Sequence, residues 1–270
     1  MAIRRTWFTK CEKMADKLFS RSFLASILIS AIANASPLGD VFESAGVTGT
    51  FVAASLNGEV VHIHNDSRST ERFSPASTFK IPNTLIALDL GIVASASSTF
   101  TWDRTDRGNK NWNKDQTLET AIKVSCVWCY QEIAREVGTV RYKKALEELD
   151  YGNQNAGDRV DGFWLDGSLK ISAVEQINFL RRLYNDELPF RREHIDTLKE
   201  IIVTRKTEEH TIYAKTGWAV TEPQVAWYVG IVKSGSGTWL FAMNMQVDAP
   251  DQAALREELS LRSLQALGII

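Results

Sequence analysis

Long hydrophobic runs are scarce in this 270-residue chain, and cysteine (3), histidine (4) and proline (6 residues) are few. Charge is close to balanced at −2, which argues against a nucleic-acid surface. The one sustained apolar run, Phe23 to Ile32, follows Lys17 and Arg21 and precedes Ala33-Asn34-Ala35, an A-x-A cleavage pattern. That arrangement predicts an export signal over residues 1–35 rather than stable membrane insertion, with cleavage after Ala35. Glu12 and Asp16 are unneeded in a presequence, and Met14 would begin one of ordinary proportions. No cysteine follows the apolar run, which argues against a lipid anchor. Without residues 1–35 the chain keeps 25 basic and 31 acidic side chains, a net charge of −6. There is no internal repeat and no low-complexity segment. With 44% hydrophobic and 24% charged residues, what remains is long enough for a large core.

Export leaves only Cys126 and Cys129, in an oxidising compartment. A C-x-x-C pair can be a redox site or half of a zinc site. No thioredoxin-like context surrounds it and no second cysteine pair exists. The remaining readings are two small core-facing hydrophobes or a disulfide across three residues. His62 and His64 alternate on a strand-like stretch, without further ligands, and read as strand surface.

Two strand-like runs, Thr50–Ser55 and Glu59–His64, flank Asn57-Gly58, the strongest short hairpin signal. Residues 99–115 are polar and aromatic and read as loop. Apolar spacing at Leu118, Ala121, Ile122, Ser125, Cys129, Ile133 and Ala134 predicts one helix closing at Gly138, with Ser125 on its apolar face. A short helix over 139–149 and a Gly/Asn/Asp-rich loop from Tyr151 to Gly162 follow. Ser172 and Glu175 form a capping box for a helix to Tyr184, and another helix spans about 191–203. Three β-rich segments, 211–216, 225–233 and 238–247, precede a terminal helix over about 252–267. This order predicts an α+β fold: an antiparallel sheet built from both chain ends with flanking helices, and a mostly helical insertion over roughly 75–205. Residues 36–270 are expected to be a single domain.

One stretch stands out for chemistry, Phe73 to Pro82. Pro75 suits a first helical turn, and Ile81, Leu85, Ile86 and Leu88 continue at helical spacing. Ser77 and Lys80 then share a face, with Cβ atoms about 5–6 Å apart. Near a helix N-terminus, backbone N–H groups and the positive dipole end favour developing negative charge. The pair is equally the pattern of an ordinary cap with a solvated lysine. Apolar neighbours Phe79 and Ile81 favour a desolvated amine instead.

Ser77-x-x-Lys80, then Ser125-x-hydrophobic, then Lys215-Thr216-Gly217 at the end of a late strand is the ordered signature of serine β-lactamases and penicillin-binding proteins. A Ser-Asp-Asn at the second motif, as in the class A type, is missing, and the chain is short for the class C type. Ser77-Thr78-Phe79-Lys80, Ser125-Cys126-Val127, Tyr151-Gly152-Asn153, Trp164-Leu165 and Lys215-Thr216-Gly217 together resemble the class D β-lactamases, the oxacillinases. The resemblance covers essentially the whole mature chain and implies a transpeptidase-like fold in the periplasm, as monomer or homodimer.

The resemblance also implies hydrolysis of β-lactam antibiotics, small molecules of the penicillin and oxacillin type, and thereby resistance. Ser77 would be the nucleophile, and Lys80, carboxylated by CO2 to N6-carboxylysine, the general base. Phe79, Val127, Trp164 and Leu165 match its apolar enclosure, with the Trp164 indole N–H donating to the carbamate. Ser125 and Lys215 would deliver a proton to the leaving nitrogen. Thr216, Gly217, Trp218 and Arg256 match the substrate-binding positions, with N–H groups of Ser77 and Trp218 forming an oxyanion hole. Tyr151 and Asn153 read as structural cleft residues. No metal is implied, and no cofactor beyond CO2 or bicarbonate. A lysine near its reference pKa of about 10.4 is protonated at neutral pH and cannot attack CO2, so the enclosure must desolvate it. The rivals are a β-lactam-binding sensor domain that stalls at the acyl stage, and a D,D-peptidase, which the missing Ser-x-Asn disfavours. The loop from Ala219 to Gln224, at the cleft mouth, does not reveal the substrate range.

Overall fold

A computed structural model describes residues 37–270, so the expected export signal lies outside the described residues. The Asn57-Gly58 turn folds β1 (Gly49–Ser55) onto β2 (Val61–His64), with Phe51 opposite His64 and Ala54 opposite Val61. Ahead of this hairpin stands α1 (Pro37–Ala45), and behind it α2 (Asp66–Thr70). A 3-10 turn, Ala76–Phe79, then leads into α3 (Lys80–Asp89). The middle of the chain holds a small β3 (Thr99–Phe100) and β4 (Gln116–Thr117) pair. It continues with α4 (Leu118–Lys123), α5 (Val127–Val137), α6 (Thr139–Glu148), α7 (Ala173–Tyr184) and α8 (Arg192–Ile201). Last come β5 (Val203–Lys206), β6 (His210–Ala219), β7 (Val225–Ser234) and β8 (Gly237–Gln246). A 3-10 turn at Pro250–Ala254 and α9 (Leu255–Ala266) follow them.

The main sheet has the order β2-β1-β8-β7-β6-β5, every neighbouring pair antiparallel. The first and last parts of the described chain therefore share one sheet. β7 is buried along eight consecutive residues because both faces are covered. Val225, Trp227, Val229 and Ile231 join the larger core under α3 to α8, while Ala226, Tyr228 and Val232 face α1 and α9. Period-two alternation sends successive side chains to different cores. His64 stacks on Phe42 with centroids 4.4 Å apart and His62 lies 5.9 Å from Trp239, so both serve packing on the sheet.

Two expectations are corrected and one open alternative is resolved. The pattern from Leu118 to Gly138 is two helices, because the chain turns through Ser125 at φ 55° between them. Ser125 is thus at a break, half-buried, and not on the buried face of a continuous helix. Lys215-Thr216-Gly217 does not end its strand, since β6 runs on to Ala219. Of the two readings left open for Cys126 and Cys129, the structure has the disulfide, with Cα atoms 5.6 Å apart, and both side chains are fully buried as well.

Candidate active site

The Ser77 turn is clamped from two sides. The Trp227 indole N–H, from the centre of the sheet, donates to Ser74 O at 2.9 Å. From the opposite loop, Trp164 O accepts from the Ser74 hydroxyl at 2.9 Å and from Ala76 N–H at 3.0 Å. Ala76 is held at φ 46°, a conformation that costs a non-glycine residue roughly 1–2 kcal/mol. Against this turn lies β6, and a Cβ on Gly217 would sit 2.8 Å from Pro75 O. Glycine is therefore what permits the third motif to approach the first.

Across the single 3-10 turn, Lys80 Nζ donates to Ser77 Oγ at 3.3 Å. The serine is half-buried at the surface of a cleft, whereas Lys80 is 1% exposed. Burial, followed by repulsion from Lys215, pulls the Lys80 amine well below the ordinary lysine range. Its ammonium form has no carboxylate within reach among the ion pairs of the described residues. Beneath it lies the Tyr130 ring, 4.7 Å from Nζ, whose hydroxyl pairs with Thr84 Oγ1 at 2.7 Å. Tyr130 escapes a motif-based reading. The signal that could have found it is its place in the apolar series Cys126, Cys129, Tyr130, Ile133, one turn beyond Ser125.

Phe79 and Trp164 are fully buried and stacked with centroids 5.7 Å apart, next to Lys80 in the chain and in the clamp. Val127 and Leu165 are half-buried and line the cleft beside Ser77. The buried Trp164 Nε1 has no hydrogen-bond partner, an uncommon state for an indole N–H. A desolvated amine at Lys80 and an unpartnered indole N–H at Trp164, both buried and both adjoining Phe79, are features a lysine carbamate requires, so these residues fit that group.

Ser125 and Lys215 meet on the other wall. Lys215 Nζ donates to Ser125 Oγ at 2.6 Å, to Thr216 O at 3.0 Å and to Thr216 Oγ1 at 3.2 Å. Desolvation first, then the Arg256 charge, push the Lys215 amine down to about 7, against a smaller opposing pull from Glu257. It is thus poised to exchange a proton near neutral pH. Arg256, in the first turn of α9, donates to Ala253 O through one terminal nitrogen, while its buried Nε has no partner. The cleft, about 690 Å³, gathers Ser77, Ser125, Thr216, Gly217, Trp218 and Arg256, together with Trp112 and Glu257, which the sequence motifs do not mark. All four catalytic positions expected from the motifs therefore converge. Among the described residues no cluster of three or more His, Cys, Asp or Glu side chains is placed to hold a metal ion.

Tyr151 and Asn153 do not line this cleft. Asn153 Oδ1 accepts from Lys170 N–H at 2.9 Å and its amide donates to Ser168 O at 2.8 Å, closing the loop that carries Trp164. Tyr151 is buried edge-on to Phe79 at 5.8 Å. Both work at one remove, by holding the enclosure.

The family model described as the penicillin binding protein transpeptidase domain matches residues 49–262. The chain is 36% identical to the β-lactamase OXA-10 of Pseudomonas aeruginosa over 263 residues, covering 93% of this chain and 99% of that one. It is 42% identical to the β-lactamase OXA-48 of Klebsiella pneumoniae over 223 residues, 82% of this chain and 84% of the relative. Among solved structures, the class D β-lactamase YbXI from Nostoc superposes with a TM-score of 0.84 at 37% identity, over 86% of this chain and 98% of that chain. A class D β-lactamase from Fusobacterium nucleatum gives 0.83 at 36% identity, over 86% and 98%. Agreement of this extent, in sequence and in backbone alike, makes the chain a member of the class D β-lactamases.

Proposed function

We propose that this β-lactamase opens penicillin-type rings through an acyl-enzyme on Ser77, with Lys80 as the site of the general base. The observation that carries the reading is the buried Lys80 amine, 3.3 Å from the Ser77 hydroxyl and driven towards its neutral form by desolvation. Carboxylated by CO2, Lys80 would present an anionic oxygen able to accept the Ser77 proton in acylation and a water proton in deacylation. Phe79, Trp164, Val127 and Leu165 keep water from the amine, and Trp164 Nε1 supplies the waiting donor. Ser77 Oγ attacks the ring carbonyl, and backbone N–H groups of Ser77 and Trp218 receive the oxyanion. Ser125 passes a proton to the departing ring nitrogen, backed by the Lys215 amine at 2.6 Å. Arg256 and Thr216 hold the substrate carboxylate. Action in the periplasm is supported by the export pattern in residues 1–35 and by the internal disulfide. No step asks for a side chain of a second subunit, so a monomer suffices and a homodimer would serve equally.

The test is to follow ring opening of a penicillin, with and without bicarbonate, while weighing the protein. Continuous turnover enhanced by bicarbonate is expected. A stoichiometric, long-lived adduct without turnover would instead assign a β-lactam sensor. Lys80→Ala should abolish turnover and Ser77→Ala the adduct; an adduct that persists in Ser77→Ala removes Ser77 as nucleophile.

A further inference from the structure

Four helices of the described chain, α2, α4, α5 and α7, begin with a link between the cap residue and the residue three further on; in α2 it is the single bond from Arg68 N–H to the Asn65 side chain. In α4 the Thr117 side chain accepts from Thr120 N–H and the Thr120 side chain accepts from Thr117 N–H. In α7, Ser172 and Glu175 do the same. In α5 the two places are held by Cys126 and Cys129. Cys126 Sγ accepts from Cys129 N–H at 3.3 Å, and the two side chains are joined covalently. At α5, whose cap follows Ser125, a disulfide thus stands where α4 and α7 carry a reciprocal capping box.

That residue has the most need of a fixed backbone. Ser125 sits at φ 55° without being glycine, and its hydroxyl must stay 2.6 Å from Lys215 Nζ. Hydrogen bonds around it hold the incoming side of the turn. Cys126 N–H donates to Ala121 O at 2.8 Å, Ser125 N–H to Ile122 O at 3.3 Å, and the Trp112 indole to Val124 O at 2.9 Å. On the outgoing side the first turn of α5 must start at Val127, which itself lines the cleft. We propose that Cys126 and Cys129 are positioning residues of the reaction: their disulfide is a covalent cap that pins the Ser125 turn for proton delivery to the ring nitrogen. This rests on the role of Ser125 given above. It acts on acylation of an amide, whose leaving nitrogen needs a proton, and leaves Lys80 untouched.

The test compares the parent with Cys126→Ala/Cys129→Ala, and with Cys126→Thr/Cys129→Thr, which rebuilds the α4 type of capping box without the covalent link. Single-turnover acylation is measured with a penicillin and with an activated acyl ester whose phenolate leaving group needs no proton, each rate normalised to active sites titrated with the ester. The expected result for the alanine pair is penicillin acylation slowed about tenfold, with ester acylation and bicarbonate dependence unchanged. The threonine pair should recover most of the loss. Equal rates on both substrates in the alanine pair would overturn the positioning role and leave the Ser77 and Lys80 reading standing. Equal slowing on both substrates would also overturn it, making the disulfide a general support of the fold. A parent that forms no acyl-enzyme with penicillin would remove both readings together.

Discussion

Lys215 offers the sharpest thermodynamic prediction. Its amine is buried against Ser125 and Thr216 and pushed down from 10.5 to about 7. A lysine with a depressed folded-state pKa binds its proton less tightly in the folded chain, so unfolding takes up a proton between the two values. Stability therefore rises with pH through that window. Below about pH 7 the amine is charged in both states, and the whole cost of burying the ammonium stands. Within the window this one group contributes a slope of about 1.4 kcal/mol per pH unit, or roughly 2.7 kcal/mol between about pH 7.5 and 9.5. Lys215→Met fills the site with an apolar chain of similar length and removes that slope. Lys80 is shifted in the same direction chiefly by its own burial, which persists in the variant; the smaller part due to Lys215 is lost with it and adds to the expected slope difference. Urea unfolding of parent and variant at several pH values should show the parent gaining on the variant by about that amount across the interval. A difference that stays flat with pH, or falls, would refute the desolvated state of Lys215.

Trp164→Phe removes the unpartnered indole donor and keeps the stack on Phe79. A hydrogen bond to a charged group is worth about 1.5–3 kcal/mol, so the bicarbonate needed for half-maximal turnover should rise about 10- to 150-fold, with activity restored at saturation. Arg256→Ala should raise KM for penicillins about tenfold or more with little change in kcat, as read from steady-state kinetics across substrates with and without a carboxylate. In Gly217→Ala the new methyl meets Pro75 O at 2.8 Å and Thr78 Cγ2 at 3.1 Å. Overpacking of this kind costs about 1–3 kcal/mol, and thermal unfolding and the acylation rate should fall together as β6 moves off the Ser77 turn.

What the sequence made legible depended on local chemistry. Asn57-Gly58 between alternating strands located the first hairpin, and Ser172 with Glu175 located the start of α7. Motif order alone assigns Ser77, Lys80, Ser125 and Lys215 to one cleft. The break at Ser125 was hidden because the apolar positions on α4 and α5 stay in helical phase across it, and no glycine marks the positive φ. β5 leaves little pattern because three of its four residues are exposed, α2 is a five-residue polar helix, and α1 shows its apolar face only at Leu38, Val41 and Phe42. Pairing of Cys126 with Cys129 was undetermined, since full burial suits a small hydrophobe and a disulfide equally. Tyr130 lacks a motif altogether: its contact with Lys80 is made by tertiary packing of α5 against α3.

The central claim is that Lys80 is neutral enough, and enclosed enough, to carry a carbamate. Carbon-13 NMR of the protein in labelled bicarbonate tests it most directly. One protein-bound carbamate signal is predicted, absent in Lys80→Ala, weakened in Trp164→Phe, and lost together with turnover on acidification. An enzyme that turns over penicillin at full rate with no such signal would contradict the account.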